Sequence, residues 1–157
     1  MMEYKMRSWL LFLPILLMVV FDARAKVSVI DGDSLKIGKK EVRLEGMDAP
    51  EYHQYCYDSQ GKKYHCGRKA FEFLQKLVAE DIKCAEITKD RYGRVVAFCS
   101  SGDKDLGLQM VKHGWAVAYT KYSDIYVEAE KEAKVNKLGI WQGKFMKPEL
   151  YRALKRK

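Results

Sequence analysis

The amino-acid sequence predicts an α+β fold, a small antiparallel β-barrel of five strands covered by three α-helices. Five segments alternate apolar and polar residues as β-strands do, three of them in residues 27–47 and two in residues 82–99. Three other segments have apolar residues at helical spacing, one between the two groups of strands and two after the second group. The 157 residues are enough for one domain with its own core.

The first three strands are predicted to follow one another as hairpins. β-branched residues dominate positions 27–30, and alternation resumes at residues 35–37 after an Asp-Gly-Asp interruption. Residues 41–47 alternate between an apolar and a polar face, and Pro50 ends the extended segment because it has no N–H for a strand ladder. Only residues 26–30 precede the interruption in the predicted mature chain, so the first strand is expected to be shortened.

A helix and a second hairpin are predicted in the middle of the chain. Residues 52–66 show neither periodicity and are predicted to form a loop, whereas residues 68–80 are predicted to form a helix. The hairpin pairs residues 82–87 with residues 95–99 across a turn at residues 90–93. The apolar stripe of the helix consists of Ala70, Phe71, Leu74, Leu77 and Val78.

Two more helices are predicted after the second hairpin. The first covers residues 105–113 and ends at a C-cap glycine. The second covers residues 123–137, and Ser123 can cap its N-terminus. Residues 144–157 are predicted to be a basic C-terminal tail in which Pro148 starts a last turn.

Residues 1–25 are predicted to be a signal peptide that is cleaved after Ala25. Basic residues precede an apolar run of 13 residues at positions 9–21, and a small-x-small motif follows at positions 23–25. That run is shorter than the roughly 20 residues that span a bilayer, which favours cleavage over a retained anchor. The folded domain is therefore assigned to residues 26–143 of a secreted or periplasmic protein with no membrane span after cleavage.

The chain is strongly basic, with a net charge of +8 from 29 basic and 21 acidic residues. Cleavage after Ala25 would remove three basic and two acidic residues and leave a net charge of +7. Such a charge on a small exported domain favours a polyanionic partner, either nucleic acid or an anionic envelope surface. Charge alone does not separate these two partners.

All four cysteines lie in the predicted mature chain. An even number of cysteines in an exported protein predicts two disulfides, for which three pairings are possible. The preferred pairing joins Cys56 to Cys66 across a short loop and Cys84 to Cys99 across the second hairpin. A zinc site formed by Cys56, His65 and Cys66 is the alternative, and an oxidising compartment disfavours it.

Acidic and basic residues concentrate in residues 31–34, 43–51 and 90–94. The sequence words VIDGDS, VRLEGMDAPE, DRYGR and LGIW occur in this order between Val29 and Trp141, and they resemble the staphylococcal nuclease (thermonuclease) family. One such word would be a weak signal, whereas four in the same order with compatible spacing are a strong one. The resemblance implies an OB-fold barrel that binds a nucleotide on one face and uses Ca²⁺ as cofactor.

By position, the resemblance makes Asp33 and Asp48 the calcium carboxylates and the backbone carbonyl of Ala49 a further ligand. Oxygen ligands of this kind suit a hard cation such as Ca²⁺. The chain departs from the family at Ser34 and at Ala49, where threonine is common in the family. The first change keeps a hydroxyl, and the second matters little if only the backbone carbonyl binds the metal.

The resemblance assigns the catalytic roles to Glu51, Arg43 and Arg94. Glu51 would deprotonate or orient the attacking water, while the two arginines would grip the phosphate, which suits their planar guanidinium groups. Simpler alternatives exist as well. Asp31 and Asp33 can be turn formers, and Arg43 with Glu45 can be a surface ion pair. Residues 90–93 can form a hairpin turn whatever the role of Arg94. These alternatives do not explain why three carboxylates and two arginines of this pattern occur together.

The resemblance also places Arg91, Tyr92, Tyr119 and Tyr122 at the nucleotide, where rings stack on bases. Packing against the barrel is the alternative for Tyr119 and Tyr122. The predicted protein is thus a monomeric, calcium-dependent nuclease of DNA and RNA with no stable protein partner, which breaks the 5′ P–O bond and leaves 3′-phosphates with little sequence preference. A noncatalytic OB-fold module that binds nucleic acid is the main alternative, and an envelope adhesion domain is a weaker one.

Overall fold

The structure, a computed structural model, describes residues 26–78 and 81–156. The strands of this part of the chain are β1 Val27–Asp31, β2 Ser34–Ile37, β3 Lys40–Leu44, β4 Met47–Asp48, β5 Cys56–Tyr57, β6 Lys63–Tyr64, β7 Ile82–Lys89, β8 Val95–Ser101, β9 Lys104–Asp105 and β10 Val117–Ala118. Its α-helices are α1 Cys66–Leu77, α2 Leu106–Lys112, α3 Val127–Val135 and α4 Pro148–Lys155, and a 3-10 helix covers Gly139–Gln142.

The main sheet has the strand order β1-β2-β3-β8-β7, with the short strand β9 added beside β8. Strands β1 to β3 form two successive antiparallel hairpins, β3 pairs in parallel with β8, and β8 pairs antiparallel with β7. Register irregularities in β1 and β7 add local twist to both edges of this path. The predicted α+β fold with its five principal strands is confirmed, as a curled half-barrel of the OB type.

The first strand lies at one edge of the main sheet. Strand β1 has five residues and pairs with β2 from Val27 opposite Ile37 to Asp31 opposite Ser34. Four residues of β1 precede the Asp-Gly-Asp turn and the fifth, Asp31, begins it, so the shortening of this strand stays a prediction.

The core lies between the sheet and helices α1 and α2. Alternating strand residues meet four of the five residues of the predicted helix stripe there, as the strand and helix periodicities imply. The fifth, Phe71, contacts the ring of Tyr52 instead, and Phe73 packs against the core. This packing fixes β2, β3 and the start of α1 relative to one another. The buried residues that the sheet and the helices share include Leu35, Val42, Leu44, Ala70, Leu74, Ala97, Leu106 and Met110.

The helices differ from prediction mainly at their ends and in number. Helix α1 begins two residues earlier than predicted, at Cys66, and α3 begins only at Val127, since no side chain caps it and Ser123 lies in the preceding turn. A fourth helix, α4, occupies the segment predicted to be a basic tail with a single last turn. Pro148 starts it at a position where proline is favourable, and Pro148 is buried.

Both disulfides have the predicted pairing, Cys56–Cys66 and Cys84–Cys99. Cys84 and Cys99 are directly opposite each other on β7 and β8, so the bond staples the second hairpin. Cys56 belongs to the short β5–β6 hairpin and Cys66 is the first residue of α1, so the other bond ties the predicted loop to this helix. The zinc alternative is thereby wrong.

The predicted signal peptide, residues 1–25, lies outside the described residues. Residues 79 and 80, at the predicted end of the first helix, also lie outside them. Among the helices of the described residues, none has the length and apolar character needed to cross a membrane.

Candidate functional site

Three chain segments bring Asp33, Arg43 and Asp48 together. Asp33 lies in the turn between β1 and β2, and its neighbour Ser34 pairs across the sheet with Arg43 of β3. Asp48 ends strand β4, which pairs with β10. The two acidic turns touch, because a Cβ added to Gly32 would lie only 2.8 Å from the Cβ of Ala49.

Arg43 bridges the two predicted calcium carboxylates. Its Nη1 donates to Oδ2 of Asp33 at 2.6 Å, and its Nη2 donates to Oδ1 of Asp48 at 3.0 Å. The hydroxyl of Ser34 donates to the other oxygen of Asp33 at 2.7 Å. Asp48 is only 1% exposed, and this burial raises the pKa of its carboxyl even though guanidinium groups hold it on two sides. The arginine therefore neutralises carboxylates that are costly to bury alone.

Glu51 follows the same turn and is 34% exposed at its side chain, so water can reach it. Its backbone N–H donates to Oε1 of Gln54 at 3.3 Å, and Gln54 is fully buried. The first turn of α1 packs directly against this backbone, since Gly67 lies beside the carbonyl of Glu51. The backbone of Glu51 is thus held by the buried amide of Gln54 and by α1, which approaches so closely that a side chain at position 67 would clash.

Replacement of Gly67 by alanine is expected to destabilise the protein by about 2 kcal/mol, although alanine is the better helix former. The new Cβ would lie 1.7 Å from the carbonyl oxygen of Glu51, and a backbone atom cannot rotate away. Urea unfolding measures the change. Lys69→Ala on the exposed side of the same helix is the control and should change stability by less than about 0.5 kcal/mol. A Gly67→Ala protein as stable as the parent would show that the two segments are not in contact.

Arg152 of α4 is a site residue that the sequence did not predict. Its Nη1 donates to Oδ1 of Asp48 and to Oε1 of Glu51, both at 2.9 Å, and its Nη2 donates to Oδ2 of Asp48 at 3.0 Å. Burial opposes its charge, but these two carboxylates more than compensate and raise its pKa. The run of basic residues at the end of the sequence did not indicate which of them would turn inward.

Asp31 is the second residue without a predicted role. Its Oδ1 accepts the backbone N–H of Gly32 at 2.7 Å. Burial, and then the negative charges of Asp33 and Glu51, raise the pKa of the Asp31 carboxyl to about 7, although backbone N–H groups act in the opposite direction. The carboxylates of the site therefore carry more negative charge than the guanidinium groups of Arg43 and Arg152 neutralise.

The donor chemistry of this cluster suits a hard divalent cation. Asp33, Asp48 and Glu51 supply three formal negative charges and only oxygen donors, against two positive charges from the arginines, and Asp31 with its pKa of about 7 adds a partial fourth. In residues 26–78 and 81–156, no three acidic, histidine or cysteine side chains converge as a ready-made metal site. Arg43 and Arg152 hold the carboxylates that a cation would use, so they would have to give up some of these contacts.

Arg94, predicted to be the second phosphate-gripping arginine, contacts no member of this cluster in the described hydrogen bonds. Its Nε and Nη2 both lie 2.8 Å from Oδ2 of Asp90, across the β7–β8 turn. It lines a surface concavity of about 430 Å³ together with Tyr92 and several charged residues. The hydroxyl of Tyr92 accepts from Arg91 at 2.8 Å and from Arg156 at 3.1 Å, so the end of α4 reaches this turn.

Tyr119 and Tyr122 lie next to each other after β10, with ring centroids 5.3 Å apart. The hydroxyl of Tyr119 lies 3.4 Å from a carboxylate oxygen of Glu149 in α4. Tyr122 is 68% exposed, which leaves its ring available to a base, and packing of this ring into the barrel is excluded. Helix α4 thus contacts both the carboxylate cluster and two of the residues predicted to bind nucleotide, Tyr92 and Tyr119.

Residues 41–143 match the sequence profile of the family described as staphylococcal nuclease homologue. Similar proteins include a succinoglycan biosynthesis protein, ExoI, of Rhizobium meliloti, with 36% identity over 74% of this chain and 63% of the relative. An uncharacterized endonuclease of Haemophilus influenzae is 35% identical over 73% of this chain and 64% of its own. A thermonuclease of Staphylococcus intermedius is 32% identical over 73% of each chain.

The alignments with the first two of these relatives span slightly less than two thirds of the relatives' own length. The profile begins in β3 and ends just after the 3-10 helix. Arg43, Asp48, Glu51 and Arg94 lie inside the matched residues, whereas Arg152 lies beyond them.

Proposed function

This chain belongs to the family of staphylococcal nuclease homologues, and from that premise we propose that it is an exported, calcium-dependent nuclease. Its substrates are DNA and RNA, which it cleaves with little sequence preference. The names of two relatives, an endonuclease and a thermonuclease, support the reaction class.

One observation carries the proposal: Asp33, Arg43, Asp48 and Glu51 come from three chain segments and meet in one hydrogen-bonded cluster, which Glu51 joins through Arg152. Ordinary surface ion pairs join two exposed side chains and stabilise little. Here Asp33 and Asp48 are almost completely buried. Buried ion pairs add little to the stability of a fold, so their presence favours a functional role for these charges.

In the proposed reaction a water molecule attacks the phosphorus of a phosphodiester. Glu51 accepts the proton of this water, or orients the water, and the bond between phosphorus and the 5′-oxygen breaks. The 5′-oxygen takes up a proton, and the products are a 5′-hydroxyl and a 3′-phosphate. Arg43 and Arg94 bind the phosphoryl oxygens.

Asp33, Asp48 and the carbonyl of Ala49 are the proposed calcium ligands. A bound Ca²⁺ would offset the charge that develops on the phosphoryl oxygens. The excess of negative charge over the two guanidinium groups supports this assignment, as does the all-oxygen donor set.

The work of catalysis must be shared among these groups. An enzyme that hydrolyses phosphodiesters lowers the barrier by something like 20 kcal/mol, whereas loss of one electrostatic donor typically costs about 3 to 4 kcal/mol. The proposal therefore assigns several residues to the transition state and no dominant one.

Binding and location follow from charge and redox chemistry. A net charge of +8 favours a polyanionic substrate, and Tyr92 and Tyr122 offer exposed rings for stacking on bases. Two disulfides support a secreted or periplasmic location, where such bonds persist. We assign the protein as a monomer that needs no protein partner for this reaction.

Incubation of residues 26–157 with single-stranded DNA or RNA tests the function. With disulfides formed, we expect cleavage in Ca²⁺ and a loss of at least about 1000-fold with a chelator, because one charge centre is removed from the transition state. Gel electrophoresis with end-group analysis measures both the rate and the 3′-phosphate ends. Binding without cleavage in either condition would favour the noncatalytic module and end the nuclease proposal.

A further inference from the structure

Helix α4 is held against the candidate site by contacts at both of its ends. The chain before it is fixed by buried Gln54, whose Nε2 donates to the carbonyl of Met146 at 2.7 Å while its Oε1 accepts from the backbone of Glu51. At the other end, Arg156 donates to the hydroxyl of Tyr92 at 3.1 Å. One buried amide therefore links the Glu51 turn to the helix that carries Arg152.

The guanidinium of Arg152 makes a bidentate contact with Asp48. Its two terminal nitrogens contact the two oxygens of Asp48 in parallel, which is the geometry that arginine alone can offer a carboxylate. The nitrogen that contacts Oδ1 of Asp48 also contacts Oε1 of Glu51, each at 2.9 Å. The carboxylates of Asp48 and Glu51 are thus gathered around one nitrogen atom.

Two carboxylates that lie around the same nitrogen atom would repel each other if this nitrogen did not belong to a cation. The side chain of Glu51 is partly exposed, and among residues 26–78 and 81–156 its hydrogen bond to the cluster is the one from Arg152. In the described part of the chain, Oε2 of Glu51 has no hydrogen-bond partner, so it is the oxygen left for a water molecule. Removal of the guanidinium would free Glu51 to swing away from Asp48.

We propose that Arg152 is a positioning residue of the nuclease site, which holds the Glu51 carboxylate beside Asp48 so that one oxygen of Glu51 faces the attacking water. The inference rests on the proposed nuclease function and extends the site to α4, beyond the matched residues 41–143. Arg152 acts through Glu51, whereas Arg43 and Arg94 bind the phosphate.

A different role for Arg152 makes the opposite prediction. Its guanidinium touches both oxygens of Asp48, a proposed calcium ligand, and could therefore block the site. A blocking residue would raise turnover when it is removed, whereas a positioning residue would lower turnover.

The test compares Arg152→Ala, Arg152→Lys and the control Lys155→Ala in the full mature chain at saturating Ca²⁺. We expect Arg152→Ala to lower kcat about 100-fold with KM changed less than about threefold, since alignment of a catalytic group is lost while phosphate contacts remain. Arg152→Lys keeps the charge without the planar guanidinium, and its kcat should lie between those of the parent and Arg152→Ala. Lys155 is exposed on the same helix, and its variant should match the parent.

Chemical rescue separates positioning from a purely structural role. Millimolar guanidinium ion should raise the kcat of Arg152→Ala several-fold and leave the parent and Lys155→Ala unchanged. Calorimetry of Ca²⁺ binding without substrate should show affinity in Arg152→Ala at least equal to that of the parent, because a positive charge beside Asp48 has been removed.

The outcomes separate the two hypotheses. An active parent with kcat equal or higher in Arg152→Ala overturns the positioning role in favour of a block. An active parent whose alanine and lysine variants both lose activity, with no rescue, overturns it in favour of a structural role. A parent that does not cleave at all overturns the nuclease function, and the positioning role with it.

Discussion

Replacement of Arg43 by glutamine is expected to lower kcat/KM by at least about 1000-fold and to destabilise the fold by about 3 kcal/mol. The activity falls because the neutral amide of glutamine replaces a positively charged guanidinium at the phosphoryl oxygens, where negative charge grows at the transition state. The fold is weakened because buried Asp33 loses its guanidinium partner, whereas Asp48 keeps its contacts with Arg152. Initial rates at saturating Ca²⁺ and urea unfolding measure the two effects.

The two effects of Arg43 can be separated by pairing variants. Lys40→Gln removes a charge from the same strand, but Lys40 is exposed and contacts Glu86 on the surface, so both quantities should stay near those of the parent. Arg43→Lys keeps a cation between the carboxylates and should recover most of the stability, but little of the activity, since an ammonium lacks the planar fork. Full activity in Arg43→Gln would remove Arg43 from the mechanism.

The strands could be predicted because their signals are local, and the family resemblance assigned Asp33, Arg43 and Asp48, which the structure brings together. Alternation along residues 41–47 gave the face on which Arg43 lies, and Asp48 follows on the turn that Pro50 closes. The cysteine pairing also followed from a local feature, since Cys84 and Cys99 flank a turn and become direct partners on β7 and β8. These are properties of segments shorter than about twenty residues.

Helix α4 and its arginine were not predictable in the same way. Residues 144–157 are rich in basic residues, a composition that usually belongs to a solvated tail. The position of α4 depends on Gln54, which lies in a segment with no periodicity, and the hydrogen bond from Gln54 to Met146 spans 92 residues. A contact at such a separation leaves no trace in either segment when each is considered alone.

Arg94 is a residue for which the sequence predicted a role at the phosphate but did not predict its contacts. Its sequence word, DRYGR, placed it at the phosphate, and the structure pairs it with Asp90 of the same turn. The backbone explains this pairing: Oδ1 of Asp90 caps the turn by accepting the N–H groups of Tyr92 and Arg94, which leaves Oδ2 beside the guanidinium. Its phosphate role therefore stays a prediction, and substrate would have to compete with Asp90 for this arginine.

Replacement of Glu51 by glutamine is expected to lower kcat about 1000-fold while substrate still binds with nearly the parent affinity. Glutamine has the size of glutamate, and its carbonyl oxygen can still accept from Arg152, so the turn and α4 should keep their places. The amide, however, cannot accept a proton from water. Single-turnover cleavage gives the rate, and fluorescence anisotropy of labelled DNA in Ca²⁺ gives the affinity.

A double variant that combines Glu51→Gln with Arg152→Ala tests whether Arg152 acts through Glu51. If Glu51 is the group that activates water, Arg152→Ala in a Glu51→Gln background should cost little more, because Arg152 would have no base left to position. Glu128→Gln removes an exposed carboxylate from α3 and should leave the rate unchanged. A Glu51→Gln protein that cleaves as fast as the parent would show that another group activates the water, and additive losses in the double variant would show that Arg152 acts independently of Glu51.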